Sequence, residues 1–594
     1  MGTMNSETRT CQNCKQNFTI ESEDSDFYKK IDVPPPTWCP ECRMVRRLLH
    51  RNETAWYHRI CDATGKKVIS MYASEVPIKI YEQTYWRGDA WDPLSYGRQY
   101  DFSKPFFKQF KELFYDIPHP NLIQRNNVNS EYTNYTLNLK NCYLVGGSDT
   151  AEDSAYMFGS NVRIKDCFDT YRISDLEQCY EVIDCEKCNN IFFCQDCIGC
   201  NDSMLLYDCR NCSYCFGCVG LRGKQYHIFN TPYSKEEYHK EVARLDPKNF
   251  KNFLGHQERF EELMQSIPRK FASILKSTNV VGNDIIGARN CYYCFSARND
   301  IENCRYSYRV LDHCKDGHDA FVAWNNSELF YEVFSITGQR IKDSVLIWGG
   351  FDIYYSYLCF DCHDIFGCFG LRNKSYCILN KQYTEKEYRE LLLKIIKQMA
   401  DIPYRDAEGR VYGYGEFFPP DLSPFAYNET VAQGYFPKTR AEAVARGFGW
   451  REREARDYHI TKQPDELPDT LDIVDDSIVN EVIGCVHAGN CDDGCSTAFR
   501  IIPTELQFLR KNALSLPRLC PICRRARRLK ARLPLKLWHR KCQCIGAESE
   551  SGIYQNSAEH FHSRDHCPNE FETPYAPDRP EIVYCEACYQ REIL

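Results

Sequence analysis

Two pairs of closely spaced cysteines near the start of this chain have metal-site spacing. Cys11-x2-Cys14 is followed by Cys39-x2-Cys42. Each short turn aims two thiolates at one point, and four sulfur ligands close a tetrahedral shell suited to structural Zn²⁺. Pro34–Pro36 and the Cys39–Pro40 step stiffen the approach to the second pair. A shift of 481 residues superimposes a second copy without gaps: Cys14 falls on Cys495, Phe27 on Phe508, Cys39 and Cys42 on Cys520 and Cys523, and Cys61 on Cys542. Such a match indicates internal duplication. Cys11 lands on Asp492, one residue from Cys491. The second site therefore reads as Cys491, Cys495, Cys520 and Cys523, with Cys485 or His487 as substitutes for Cys491. A third site is expected at the extreme C-terminus around Cys585 and Cys588. Its partners come from Cys542, Cys544 and Cys567, with His560, His562 and His566 as alternates. Two or three structural zinc ions follow.

Basic residues trail each ribbon. Arg43, Arg46 and Arg47 follow the first. Arg524, Arg525, Arg527, Arg528, Lys530, Arg532, Lys536, Arg540 and Lys541 follow the second with no acid among them, and Trp538 offers a stacking face. Guanidinium forks suit phosphate, and aromatic faces suit bases. The strips point to RNA, DNA or a ribonucleoprotein as partner. The alternative is a solvated helix face.

These modules flank a region of another period. From Ile164 every third residue through Cys209, Cys212, Cys215, Cys218 and Leu221 is uncharged, and most are Cys or aliphatic. Neither a helix nor a strand stays in phase with three over that distance. A chain turning through short stacked segments does, so a β-solenoid is expected. It matches no familiar hexapeptide or pentapeptide rule. The pattern recurs 150 residues on, where Cys218, Leu221, Asn230 and Tyr238 reappear as Cys368, Leu371, Asn380 and Tyr388, while Cys215 becomes Ile365. There the uncharged triplets are read from Ser335 onward. A cluster ligand cannot become Ile, so these cysteines read as core filling rather than as an iron–sulfur or zinc site. Ser234…Glu237 and Thr384…Glu387 have capping-box spacing and open a helix after each copy.

The expected organisation is multidomain and mainly β with peripheral helices. It comprises a zinc ribbon (1–61), an α+β connector (62–125), solenoid copy 1 (126–233), a helical insert (234–278), solenoid copy 2 (279–383), a helix and linker (384–420), a loop/helix connector (421–484) and a zinc-binding module (485–594).

Composition narrows the function. Net charge is −8 over 594 residues, which argues against a wholly basic nucleic-acid protein. No secretion signal or long apolar run is visible, so the expected address is the cytoplasm, with no membrane partner. Its 35 cysteines then read as reduced ligands or small hydrophobes rather than disulfides. No nucleophile elbow, P-loop, HExxH or GxGxxG stands in usable context. A non-enzymatic, zinc-stabilised scaffold is expected; the alternatives are a protein-binding or structural scaffold without nucleic acid, and a carbohydrate-active or Fe–S redox protein built on the solenoid.

The stretches "FYKKIDVPPPTWCPECRMVRR", "CFGCVGLRGKQY", "SPFAYNET" and "NEFETPYAPDRPEIVYCEACYQ" resemble those of large, cysteine-rich zinc-ribbon proteins of reduced-genome candidate-phyla bacteria. The likeness extends over nearly the whole chain. It implies zinc at the CxxC knuckles and carries no activity with it.

Overall fold

The computed structural model describes residues 6–452 and 458–593. Residues 1–5 of the first expected unit, 453–457 of the connector at 421–484 and residue 594 of the last unit lie outside them. Among the described residues the chain is mainly β, with two ten-stranded sheets and twelve α-helices. The first sheet runs from Gln124–Arg125 to Thr231–Pro232 and the second from Ile274–Leu275 to Lys381–Gln382. In both, consecutive strands pair in parallel until the last, which turns back antiparallel.

Register explains the triplets. Cys167 lies beside Cys179, Cys179 beside Ile191 and Ile191 beside Ser203, a step of twelve. A second row of bridges steps equally from Ser174 through Glu186, Ile198 and Arg210 to Arg222. Within each step the backbone turns at every third residue. Asp166, Asp169, Arg172 and Asp175 have φ of 49°, 55°, 55° and 57°, and left-handed residues continue at that spacing through Tyr214. The period is thus one left-handed residue, one inward residue and one outward residue. Left-handed backbone costs a non-glycine residue about 1–2 kcal/mol, and Asn and Asp tolerate it best. Neighbouring turns bond to one another in compensation. The Asn129 amide donates to Asn141 at 2.9 Å, Asn141 to Asp153 at 2.8 Å and Asn190 to Asp202 at 2.8 Å. The Asp and Asn before so many cysteines are turn residues.

Every third residue from Ile164 to Cys218 is buried. The inward thiols also hydrogen bond. Cys209 Sγ donates to the Tyr207 carbonyl at 3.5 Å, and the Cys200 amide donates to Cys188 Sγ at 3.3 Å. Ser203 does the same with oxygen, donating to the Asn201 carbonyl at 2.7 Å and accepting from the Cys215 amide at 3.1 Å. Cys, Ser and Ile therefore exchange at one kind of site. The second sheet is less regular. Phe295 pairs with Tyr308 and Lys315 with Glu328, steps of thirteen, whereas Glu328 pairs with Gln339, a step of eleven. The triplet reading consequently starts one residue out of phase: Ser335 is a left-handed turn residue (φ 55°) and Ile336 is the one in the apolar interior. From Ile341 the inward series is in step.

Helices cover both sheets. Phe106–Asp116 sets Phe106 against Phe366 and Phe114 against Phe369, with ring centroids 5.0 and 5.4 Å apart. Phe250–Ser266 sets Phe253 against Phe193 at 4.3 Å. Both capping boxes form, Ser234 with Glu237 and Thr384 with Glu387. The helix of the N-terminal ribbon, Pro40–Leu48, lies on the second sheet, and that of the C-terminal ribbon, Pro521–Ala531, lies on the first.

Cys215→Val should change unfolding free energy by under about 1.5 kcal/mol in a denaturant titration. Gly217→Val should cost roughly 3 kcal/mol or more, because Gly217 has φ +66° and an added Cβ would sit 2.5 Å from the Phe229 ring. Buried His119 is held near Tyr72 Oη (3.2 Å) and the Phe114 carbonyl (2.7 Å), and burial pulls its pKa down to about 3. The folded state then binds fewer protons than the unfolded one between pH 3 and 6.5, so stability falls as pH drops through that window. The stability difference between wild type and His119→Gln should shrink by about 1.4 kcal/mol per pH unit below 6.

Candidate metal centres

The first cluster is built on a hairpin, Glu7–Thr10 with Asn17–Ile20, and on the start of Pro40–Leu48. Cys11, Cys14, Cys39 and Cys42 place their sulfurs within 4.8 Å of one another. Cys14 and Cys39 Sγ are 3.7 Å apart, the Cys39 amide donates to Cys11 Sγ at 3.2 Å, and the Asn13 amide donates to Cys42 Sγ at 3.3 Å. Cys39 caps its helix, where the positive end of the backbone dipole favours a thiolate.

The second cluster joins Cys485, Cys495, Cys520 and Cys523. The Cys520 amide donates to Cys485 Sγ at 3.3 Å, the counterpart of the Cys39–Cys11 contact. Cys485 therefore occupies the role read for Cys491. The sister turn is longer here, with Cys485-x9-Cys495 replacing Cys11-x2-Cys14, so an ungapped shift overshoots Cys485 by seven residues. Cys491 lies 3.8 Å from Cys523 Sγ in a second group with His487, whose buried Nδ1 lacks a hydrogen-bond partner.

At the C-terminus Cys542, Cys567, Cys585 and Cys588 form a further set, again with an amide, that of Cys585, donating to Cys542 Sγ at 3.2 Å. Cys544, His560, His562 and Cys588 form another. His566 belongs to neither set; its Nδ1 lies 3.1 Å from the Cys567 carbonyl. Hydrogen bonding from Cys485 pulls Cys520 down to about 4, and from Cys588 pulls Cys544 down to about 5. Thiols gathered this closely share protons that a cation can replace. Among the described residues, no group of this kind includes a cysteine of the two sheets.

Cys61 was not read as special from the sequence. Its amide donates to the Lys66 carbonyl at 2.8 Å, and the Glu82 amide donates to its sulfur at 3.2 Å, ahead of the short helix Gln83–Arg87. This is the knuckle geometry with Thr64 and Glu82 where further cysteines would stand. Its alignment with Cys542 was the available signal.

The basic strips require correction. Arg43, Arg46 and Arg47 are buried. Arg43 meets Asp319 at 2.9 Å, Arg46 meets Glu332 at 2.7 Å and Glu416 at 2.8 Å, and Arg47 meets Glu332 at 2.5 Å. Buried Arg524 meets Asp169 at 2.5 Å and Glu505 at 2.8 Å, and buried Arg528 meets Asp169 and Glu181 at 2.9 Å each. These five guanidiniums face the sheets, where carboxylates already neutralise them, so they are not a phosphate-binding surface. Arg525 lies over Phe158, and Arg532 donates to Tyr171 Oη and the Gly434 carbonyl at 2.8 Å each. Arg540 reaches the Tyr575 and Ala576 carbonyls, and Trp538 sits half-buried in a strand. Arg527, Lys530, Lys536 and Lys541 are exposed. Arg527 pairs with Glu181, Lys530 with Asp493 and Lys541 with Glu570, while Lys536 lies over Trp538.

No family model matches this chain, and no curated protein does. One similar solved structure is a chain from Desulfovibrio desulfuricans G20 to which an acetyltransferase role has been assigned. It is 13% identical over 48% of this chain and 76% of its own length, with a TM-score of 0.10, which supports no argument about fold or activity.

Removing one carboxylate of a buried clamp leaves guanidinium charge uncompensated. Glu332→Gln and Asp169→Asn should each cost about 3–5 kcal/mol, measured by urea denaturation, whereas the exposed pair Lys397–Asp401 should contribute under about 0.5 kcal/mol.

Proposed function

We propose that this protein is a non-enzymatic scaffold whose ribbons are closed by structural Zn²⁺ and whose body is a pair of β-solenoids. The observation that carries the reading is the coupling of the first and second cysteine clusters each to a sheet. Cys39 and Cys520 open the helices that carry Arg43, Arg46 and Arg47, and Arg524 and Arg528, onto buried carboxylates. An ion that fixes the knuckle thereby fixes the direction of the clamp. Sulfur-rich tetrads favour zinc or iron, and the imidazoles in the C-terminal set favour zinc. Four-thiolate sites are closed shells with no open position for substrate. The parallel twelve-residue step, with a left-handed turn at each third position, supports the solenoid reading.

The pairing of the strongest phosphate-binding candidates favours the alternative of a protein-binding or structural scaffold without nucleic acid. Among the described residues, no helix is long and apolar enough to cross a membrane.

Metal analysis of the purified chain should return at least three zinc ions, matching the cysteine tetrads, and no stoichiometric iron. Chelation should lower its thermal stability, and Cys39→Ser should lose one ion and loosen the N-terminal ribbon. Filter binding with single-stranded RNA and duplex DNA across salt should detect no specific complex. Tight binding whose salt slope falls on changing Lys530, Lys536 and Lys541 would instead restore nucleic acid as the partner.

A further inference from the structure

The C-terminal cysteines and histidines are arranged for two ions, not one. Cys588 belongs both to the set with Cys542, Cys567 and Cys585 and to the set with Cys544, His560 and His562. Its sulfur is 3.7 Å from Cys567 Sγ on one side and 3.3 Å from His562 Nε2 on the other. We propose that these seven side chains hold a binuclear zinc centre in which the Cys588 thiolate bridges two tetrahedral ions. The inference rests on the preceding reading that the clusters hold zinc.

The second set carries the marks of a built site. His560 Nε2 lies 2.8 Å from Glu592 Oε1, and both side chains are buried. The Glu592 carboxylate also accepts from the Ser557 amide at 2.7 Å, the Ala558 amide at 3.3 Å and the Tyr554 hydroxyl at 3.0 Å, so it acts as the acceptor toward His560. The proton of neutral His560 is therefore on Nε2, and its Nδ1 lone pair points at Cys544 Sγ, 3.6 Å away. His562 has the opposite tautomer. Its Nδ1 donates to the Asp565 carbonyl at 2.7 Å, leaving the Nε2 lone pair toward Cys588. Two imidazole lone pairs thus face two sulfurs, and a cation seated between them takes the place of the thiol protons and is met by all four atoms. Outer partners that fix the tautomer in this way are the usual support of metal-bound histidine.

Charge favours the pair as well. One Zn²⁺ among Cys542, Cys567, Cys585 and Cys588 thiolates leaves two uncompensated negative charges, with Cys544 adding a third when ionised. A second Zn²⁺ held by Cys544, both neutral histidines and the shared sulfur brings five thiolates and two ions to a net charge of −1. That lowers the cost of burying the cluster. The Asn556 and Asn569 amides donate to Cys544 Sγ at 3.2 Å and Cys585 Sγ at 3.3 Å, spreading what remains.

The test is zinc counting by native mass spectrometry on the full chain, wild type against His560→Phe/His562→Phe. Loss of one ion in the variant is expected, with the other ions retained. An equal, non-zero count in both proteins overturns the binuclear centre while leaving zinc in the ribbons intact. No zinc in either overturns both readings. Because the double variant could unfold its module, the wild type is also exchanged with ¹¹³Cd. A scalar coupling between a sulfur-only resonance and one of mixed sulfur–nitrogen ligation is expected through the shared thiolate. Resonances with no such coupling overturn the bridge.

Discussion

Buried guanidinium–carboxylate pairs join the ribbons to the sheets. Ions removed from water are costly, and their attraction offsets the cost only when geometry is close and remaining donors are used. Here the forks are shared. Glu332 receives Arg46 and Arg47, Asp169 receives Arg524 and Arg528, and Arg43 spends a further N–H on the Trp38 carbonyl at 2.7 Å. Asp319 and Asp169 stand 150 residues apart in the duplicated sheets, and Arg43 and Arg524 stand 481 apart in the duplicated ribbons. The same clamp is made twice, and each time it joins a ribbon to the sheet from the other half of the chain.

That crossing explains why the cysteines fall into two populations. Where four sulfurs meet at the start of a helix, as at Cys39 and Cys520, they set the direction in which arginines leave the ribbon. Where sulfurs line the interior of a sheet, as at Cys209 and Cys215, each bonds to a backbone carbonyl, and in the sister copy Cys209 stays Cys359 while Cys215 becomes Ile365. The side chain is the same in both, and the local backbone distinguishes them: a knuckle at a helix start against a left-handed turn at each third residue.

Much of this was legible in the sequence, and what was not has physical causes. The knuckles at Cys11–Cys14 and Cys39–Cys42 depend on local spacing and are readable. So is the inward series from Ile164, because its step of twelve is a multiple of three. Steps of thirteen and eleven in the second sheet move the phase and hide Ile336 behind Ser335. Cys485 is displaced by a loop insertion that an ungapped comparison cannot absorb. The arginines misled because their partners are far away in sequence. Nothing local to Arg524 reveals Asp169, although an acidic residue at the same place in both copies was a usable hint. Glu592 stands outside any motif and was missed as the support of His560.

The crossed docking also imposes an order in time. Arg47 and Glu332 are separated by 285 residues. At ribosomal rates of about 5–20 residues per second, the N-terminal helix waits roughly 15–60 s with its arginines uncovered before its acceptor has been made. The C-terminal ribbon meets a sheet completed long before. The first ribbon is thus the segment of the newborn chain most exposed to wrong partners, and a cation that closes its knuckle early would keep it in shape until the second sheet arrives.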